Sequence, residues 1–120
     1  MMTNKKVIVF DVDDTILTTQ NRDYENSKPI NEVIDGMRKL KADGWTIVLH
    51  TARGMGRSNG NIEKVCGQVR KEITSVCKKY NVPYDELILG KTWASFYVDD
   101  KAMLPKDFIN NVDQLIESAK

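Results

Sequence analysis

The sequence has few of the residues that build disulfide scaffolds, zinc sites or nucleic-acid surfaces. Its 120 residues include two cysteines and one histidine, and the formal net charge is +1. Cys66 and Cys77 fall in one helical pattern roughly 16 Å apart along the axis, whereas disulfide-bonded Cα atoms lie within ~7 Å. We therefore expect two reduced cysteines on an apolar helix face. A nearly neutral chain also lacks the excess of positive charge that is typical of proteins that bind nucleic acids or anionic membranes.

Long apolar runs are also missing. Lys5 and Lys6 precede only four apolar residues before Asp11, which is shorter than the ~7–15 residues of a signal peptide core or the ~20 of a membrane span. We predict a cytoplasmic protein. Because the length suits one compact unit and no linker or repeat interrupts the chain, we predict a single domain over residues 1–120.

Apolar patterns alternate between strand-like runs and helix-like spacing. Short apolar runs predict strands at Lys6–Asp11, Trp45–Leu49, Leu87–Leu89 and Phe96–Val98. The first shows no alternation and is predicted to be buried on both faces of a parallel sheet. Helical spacing predicts helices that begin at Pro29, after a cap at Asn61, and at Pro105. This order predicts an α/β fold with a mainly parallel sheet.

Polar chemistry follows each predicted strand. The residues concerned are Asp11, Asp13 and Thr15 after the first strand, Thr51 and Arg53 after the second, Lys91 after the third, and Asp99 and Asp100 after the fourth. Ligands of open parallel sheets bind beyond the carboxyl ends of the strands. The sequence therefore predicts one site at this edge of the sheet.

The predicted site combines four carboxylates with one lysine. Such carboxylates disfavour one another's ionised forms unless a counter-charge is present, and a hard divalent cation supplies it. Oxygen ligands suit Mg²⁺, while the lone His50 argues against zinc. Mg²⁺ beside a carboxylate, a hydroxyl and a lysine suits phosphoryl transfer with an aspartate nucleophile and a second carboxylate that exchanges protons.

Four motifs in this order resemble those of the haloacid dehalogenase (HAD) superfamily of phosphohydrolases. They are Asp11-Val-Asp13-Asp14-Thr15, Thr51, Lys91 and the Asp99-Asp100 pair. The segments TARGMGRSNGNI, VPYDELILGK and FYVDDKA further resemble a small branch of capsule-biosynthesis phosphatases. The resemblance implies a Rossmann-like three-layer sandwich and a single capless HAD-like domain.

The resemblance also implies roles for individual residues. Asp11 would form the aspartyl-phosphate and ligate Mg²⁺, and Asp13 would be the general acid and base, with its backbone carbonyl on the metal. Thr51 would donate to the phosphoryl oxygens, and Lys91 would steady the nucleophile and the phosphate charge. The metal site would be completed by Asp100, supported by Asp99.

The sequence departs from the family pattern in two places. Position 14 is Asp where the superfamily often has Gly, and Lys91 is followed by Thr92 rather than by the Pro of the capsule-like branch. The chain has no room for a cap domain, so an open site covered by a second subunit in a homo-oligomer is plausible. Arg53 and Arg57 are candidates for gripping an anionic or hydroxyl-rich part of the substrate.

These observations predict a Mg²⁺-dependent phosphomonoester hydrolase that acts on a sugar phosphate or related small metabolite. One alternative is a phosphate-accepting receiver-like signalling domain. A receiver needs its acceptor aspartate after a middle strand, and here that position is Thr51. A second alternative is a non-catalytic protein that binds phosphorylated ligands, against which the filled motif positions weigh.

Overall fold

The computed structural model describes residues 6–20, 23–55 and 62–120. No helix in these ranges has both the length and the apolarity needed to cross a membrane. In chain order the elements are β1 (Val7–Phe10), β2 (Leu17–Thr18), a 3₁₀ turn (Tyr24–Asn26), β3 (Lys28–Pro29), α1 (Asn31–Ala42), β4 (Thr46–Thr51), α2 (Ile62–Tyr80), β5 (Glu86–Leu89) and α3 (Pro105–Ser118). The predicted alternation of strands and helices is confirmed.

The main sheet is parallel and has the strand order β1-β4-β5. Val9 of β1 pairs with Val48 of β4, which in turn pairs with Glu86 of β5. Helix α1 connects β1 to β4, and α2 connects β4 to β5. The fold is therefore of the Rossmann-like α/β class that the sequence predicts.

One face of this sheet forms the core together with the helices. Phe10, Leu49 and Leu87 lie side by side in the register, and each is buried. Their rings and branched chains pack with buried residues of the loop after β1 and of the three helices, namely Val12, Ile16, Leu17, Val33, Ile34, Met37, Leu40, Val69, Ile73, Cys77, Phe108 and Val112. This core fixes the strand ends on which the predicted site residues stand.

Helix ends follow the expected signals with one exception. Gly44 has a φ of +87°, a left-handed conformation that glycine adopts without strain, and α1 ends just before it. Pro105 opens α3 as predicted. However, α1 begins at Asn31 and not at Pro29, because Pro29 pairs with Leu17 in the small antiparallel sheet of β2 and β3. The predicted cap at Asn61 lies outside the described residues.

The predicted fourth strand is wrong. Residues 96–98 form no ladder with the described part of the sheet, and Phe96 and Val98 are 87% and 100% exposed. Strand-forming residue types need a paired neighbour to make a strand, and that pairing is absent here. As a result β1 is an edge strand. Val7 and Val9 are 46% and 57% exposed, so the prediction that this strand is fully buried is also wrong.

Candidate active site

A groove of about 810 Å³ runs along β1 towards its carboxyl end. Asp11 and Thr15 line it from the loop after β1, and Lys91 lines it from the segment after β5. Tyr97 and Asp99 line it from the segment that precedes α3. The structure therefore places residues from three of the four predicted motifs on one groove.

Asp11 follows directly on β1 and is half-buried. The Val12 amide donates to Asp11 Oδ1 over 2.9 Å. Burial raises the pKa of the Asp11 carboxyl, and the charges of Asp13 and Asp14 raise it further; the positive charge of Lys91 and the Val12 hydrogen bond lower it. Burial is the largest of these effects, and the charge of Lys91 is the largest that opposes it.

The loop after β1 is a tight turn anchored in the core. The Val12 carbonyl accepts hydrogen bonds from the amides of Ile16 (2.9 Å) and Leu17 (3.2 Å), and all three side chains are buried. Asp14 has a φ of +62° and an exposed side chain, whose Oδ1 accepts from the Thr19 amide over 3.2 Å. Aspartate tolerates the left-handed region better than most residues, so Asp14 fits this turn without a glycine.

Asp13 is held by the guanidinium of Arg53. Arg53 Nε donates to Asp13 Oδ2 over 3.0 Å, and Arg53 Nη2 donates to Asp13 Oδ1 over 2.7 Å. The Arg53 side chain is 1% exposed, and its Nη1 lies 3.4 Å from Glu72 Oε1. The sequence suggested that Arg53 contacts the substrate. Its side chain is instead buried against Asp13 and Glu72. Arg57, the other candidate for a substrate contact, lies outside the described residues.

Thr51 and Lys91 stand together at the ends of β4 and β5. Thr51 is 1% exposed; its Oγ1 accepts from the Arg53 amide over 3.0 Å, and its carbonyl accepts from the Lys91 amide over 3.1 Å. Among the described residues, no acceptor is found for the Thr51 hydroxyl proton. Lys91 Nζ lies 4.2 Å from the centre of the Tyr97 ring, a cation–π contact that holds the ammonium group over the groove wall.

Asp99 and Asp100, the predicted metal ligands of the fourth motif, lie in the segment between β5 and α3. Both are exposed, and Asp99 Oδ1 accepts from the Lys101 amide over 2.8 Å. This hydrogen bond is the main cause of the lowered pKa of Asp99, and a side-chain hydrogen bond with Asp100 lowers that pKa further. Among the described residues no three carboxylate, imidazole or thiol side chains are close enough together to hold a metal ion. The predicted Mg²⁺ site, which combines the carboxylates of Asp11 and Asp100 with the Asp13 carbonyl, stays a prediction, and the segment that carries Asp99 and Asp100 is not paired with β1.

Three residues that contact the predicted site residues were not identified from the sequence. Glu72 on α2 contacts Arg53, Thr19 Oγ1 donates to Asp13 Oδ1 over 2.9 Å, and Tyr97 packs on Lys91. Tyr97 fell in the predicted fourth strand, where no contact with the lysine was expected. Thr19 and Glu72 belong to no motif, and only the folded chain brings them to the site.

Comparison with known proteins gives one informative relative. No family model matches the chain, and no curated protein matches it. A crystal structure of an MCSG target from Vibrio cholerae is 35% identical, with a TM-score of 0.82, and the alignment covers 96% of this chain and 99% of that one. Identity at this level over nearly the full length of both chains indicates common descent. The chain therefore belongs to the same family as this Vibrio cholerae protein.

Proposed function

We propose that the protein is a HAD-type phosphomonoester hydrolase with Asp11 as its nucleophile. The observation that carries the proposal is that a half-buried Asp11 carboxylate and Lys91, whose charge favours its ionised form, line one groove at the end of β1. A partly desolvated carboxylate is a stronger nucleophile than a fully hydrated one, and a lysine keeps it ionised. The same lysine is suited to neutralise charge on a phosphoryl group.

The proposed reaction has two displacements. In the first, an Asp11 carboxylate oxygen bonds to phosphorus while the bond between phosphorus and the ester oxygen breaks, and Asp13 gives its proton to the departing oxygen. In the second, water attacks the aspartyl-phosphate, its proton passes to Asp13, and inorganic phosphate leaves. The hydroxyl of Thr51 would donate to a phosphoryl oxygen. The sum is one ester and one water converted into one alcohol and one phosphate.

Mg²⁺ and a sugar phosphate complete the proposal. The predicted ligands Asp11, the Asp13 carbonyl and Asp100 would hold Mg²⁺, which when bound would neutralise the phosphoryl oxygens. The open groove suits a small phosphorylated metabolite of the capsule-precursor type, and the net charge of +1 gives no reason to expect a nucleic acid or a membrane. A homo-oligomer that covers the groove belongs to the same proposal.

Phosphate release with and without Mg²⁺ tests this function. The panel would hold sugar phosphates, nucleotides and an aryl phosphate, and the test variant would be Asp11→Asn, which keeps the shape and removes the nucleophile. The matched control is Asp14→Asn, the same change three residues away. The Asp14 side chain is exposed, and asparagine adopts the left-handed backbone conformation of this position as readily as aspartate. We expect Asp11→Asn to lose more than about 10³-fold in rate and Asp14→Asn to stay close to wild type. Turnover that survives Asp11→Asn would remove Asp11 as the nucleophile.

A further inference from the structure

Arg53 makes a two-point contact with Asp13 that no sequence motif indicated. Its Nε and Nη2 reach the two oxygens of one carboxylate at 3.0 and 2.7 Å, the parallel geometry of an arginine fork. Lysine carries the same charge at a single point and cannot reproduce this geometry. The contact therefore fixes the orientation of the Asp13 carboxylate as well as its position.

The guanidinium that makes this contact is itself fixed. Its side chain is 1% exposed, the Arg53 amide donates to the Thr51 hydroxyl oxygen over 3.0 Å, and Glu72 Oε1 lies 3.4 Å from Nη1. A buried cation is stable only when it is paired and hydrogen-bonded, and here it lies between two carboxylates. Arg53 thus connects the end of β4 to the loop after β1, two elements that are 40 residues apart in the chain.

The contacts to Asp13 are distributed unequally between its two oxygens. Oδ1 accepts from Arg53 Nη2 and from Thr19 Oγ1 over 2.9 Å, whereas Oδ2 accepts from Arg53 Nε. A carboxylate offers about four acceptor positions, two on each oxygen. Within the described part of the chain, the position that these donors leave open is on Oδ2.

We propose that Arg53 is a positioning residue that aims Oδ2 of Asp13 at the departing ester oxygen, with Glu72 behind it and Thr19 at the other oxygen. The inference rests on the proposed hydrolase function, in which Asp13 protonates that oxygen. Proton transfer is sensitive to donor geometry, and a displacement of about 1 Å can cost about 10²-fold in rate. The role differs from the substrate contact that the sequence suggested for Arg53.

The test compares two esters of similar size that differ in their need for a proton. para-Nitrophenyl phosphate releases a stable phenolate, whereas para-nitrobenzyl phosphate releases an alkoxide that must be protonated. The value of kcat/KM reports steps up to departure of this group, so slow hydrolysis of the aspartyl-phosphate does not affect it. In Arg53→Lys we expect kcat/KM to fall about 10–100-fold for the benzyl ester and less than about 3-fold for the phenyl ester.

Two further variants make the result specific. Glu72→Gln removes the negative charge that contacts the Arg53 guanidinium. Because the Glu72 side chain is 42% exposed, this variant should fold normally. We expect a smaller loss of kcat/KM than in Arg53→Lys, again larger for the benzyl ester than for the phenyl ester. Arg70→Lys is the control, because Arg70 is an exposed arginine of α2 that donates to the Leu87 carbonyl over 3.2 Å rather than to Asp13. It should leave the ratio of the two kcat/KM values unchanged.

Three outcomes would overturn the inference. Equal losses for both esters in Arg53→Lys would mean a substrate contact or a purely structural role. A shifted ratio in Arg70→Lys would mean that any arginine replacement has this effect. A wild-type protein that hydrolyses neither ester would remove the proposed function and the inference with it, and this result is distinct because it needs no variant.

Discussion

The packing of α1 against α3 leaves no room for a methyl group at Gly36. A Cβ at this position would lie 2.7 Å from Phe108 Cε2 and 2.9 Å from Phe108 Cζ, where ordinary contacts begin at 3.4 Å. The Phe108 ring is 3% exposed and meets Phe10 edge to face, with ring centroids 5.0 Å apart. Any shift of the ring that makes room for a methyl group would disturb its contact with Phe10, which immediately precedes Asp11.

Replacement of Gly36 by Ala should therefore destabilise the protein. Overpacking of an enclosed site costs about 1–3 kcal/mol, and the better helix propensity of Ala returns about 0.5–1 kcal/mol. Gly67 in α2 is the matched control, since no described heavy atom lies within 4 Å of a Cβ built there. Gly67→Ala should therefore be stabilised by the helix propensity of Ala, with no overpacking to oppose it. The helix propensity cancels when the two variants are compared, so their free energies of unfolding should differ by about 1–3 kcal/mol.

Urea denaturation followed by circular dichroism measures this difference, and thermal unfolding checks it. For a domain of this size a change of 1 kcal/mol moves Tm by about 3–6 °C, so the two alanine variants should melt at clearly separate temperatures. If Gly36→Ala were as stable as Gly67→Ala, the close approach of α1 and α3 would be wrong. A fall in both variants would instead mean that the helices themselves are misplaced.

Two other groups give predictions about pH and reactivity. Asp85 accepts hydrogen bonds from Lys41 and from the Ile47 amide, which lower its pKa below the ordinary 3.8, so its stabilising effect is present above that value and is lost as the pH falls through the lowered pKa. Asp85→Asn should lower Tm at pH 7, and the difference from wild type should shrink in acid; a constant difference would contradict this. Burial raises the pKa of Cys77 to about 11, whereas Cys66 is partly exposed, so a disulfide reagent at pH 8 should modify Cys66 quickly and Cys77 only after unfolding. Equal fast reaction of both thiols would refute this assignment.

The helices and the strands of the main sheet were predictable because their signals are local. Apolar residues at helical spacing identify α1, α2 and α3, and short apolar runs identify β1, β4 and β5. The parallel order then places Asp11, Thr51 and Lys91 at the same ends of three strands. This part of the candidate site follows from topology alone.

The rest depends on contacts between distant parts of the chain. Residues 96–98 have strand-forming side chains, but a strand also needs a neighbour, and spacing does not reveal whether the edge of β1 accepts one. The fork of Arg53 on Asp13 spans 40 positions and needs the burial that α2 provides through Glu72. Without these contacts in view, Arg53 is indistinguishable from a solvated loop arginine.

The charges of the loop after β1 take on a different meaning once their partners are known. The four carboxylates of the predicted site suggested that a divalent cation supplies their counter-charge. In the folded chain Asp11 is stabilised by Lys91, Asp13 by Arg53, and Asp14 is exposed to solvent in a left-handed turn. Lys91 and Arg53 thus reduce the repulsion among these carboxylates without removing it, since the charges of Asp13 and Asp14 still raise the pKa of Asp11. The counter-charge argument for Mg²⁺ therefore still applies to Asp11, and under the proposed hydrolase function it applies also to the phosphoryl oxygens.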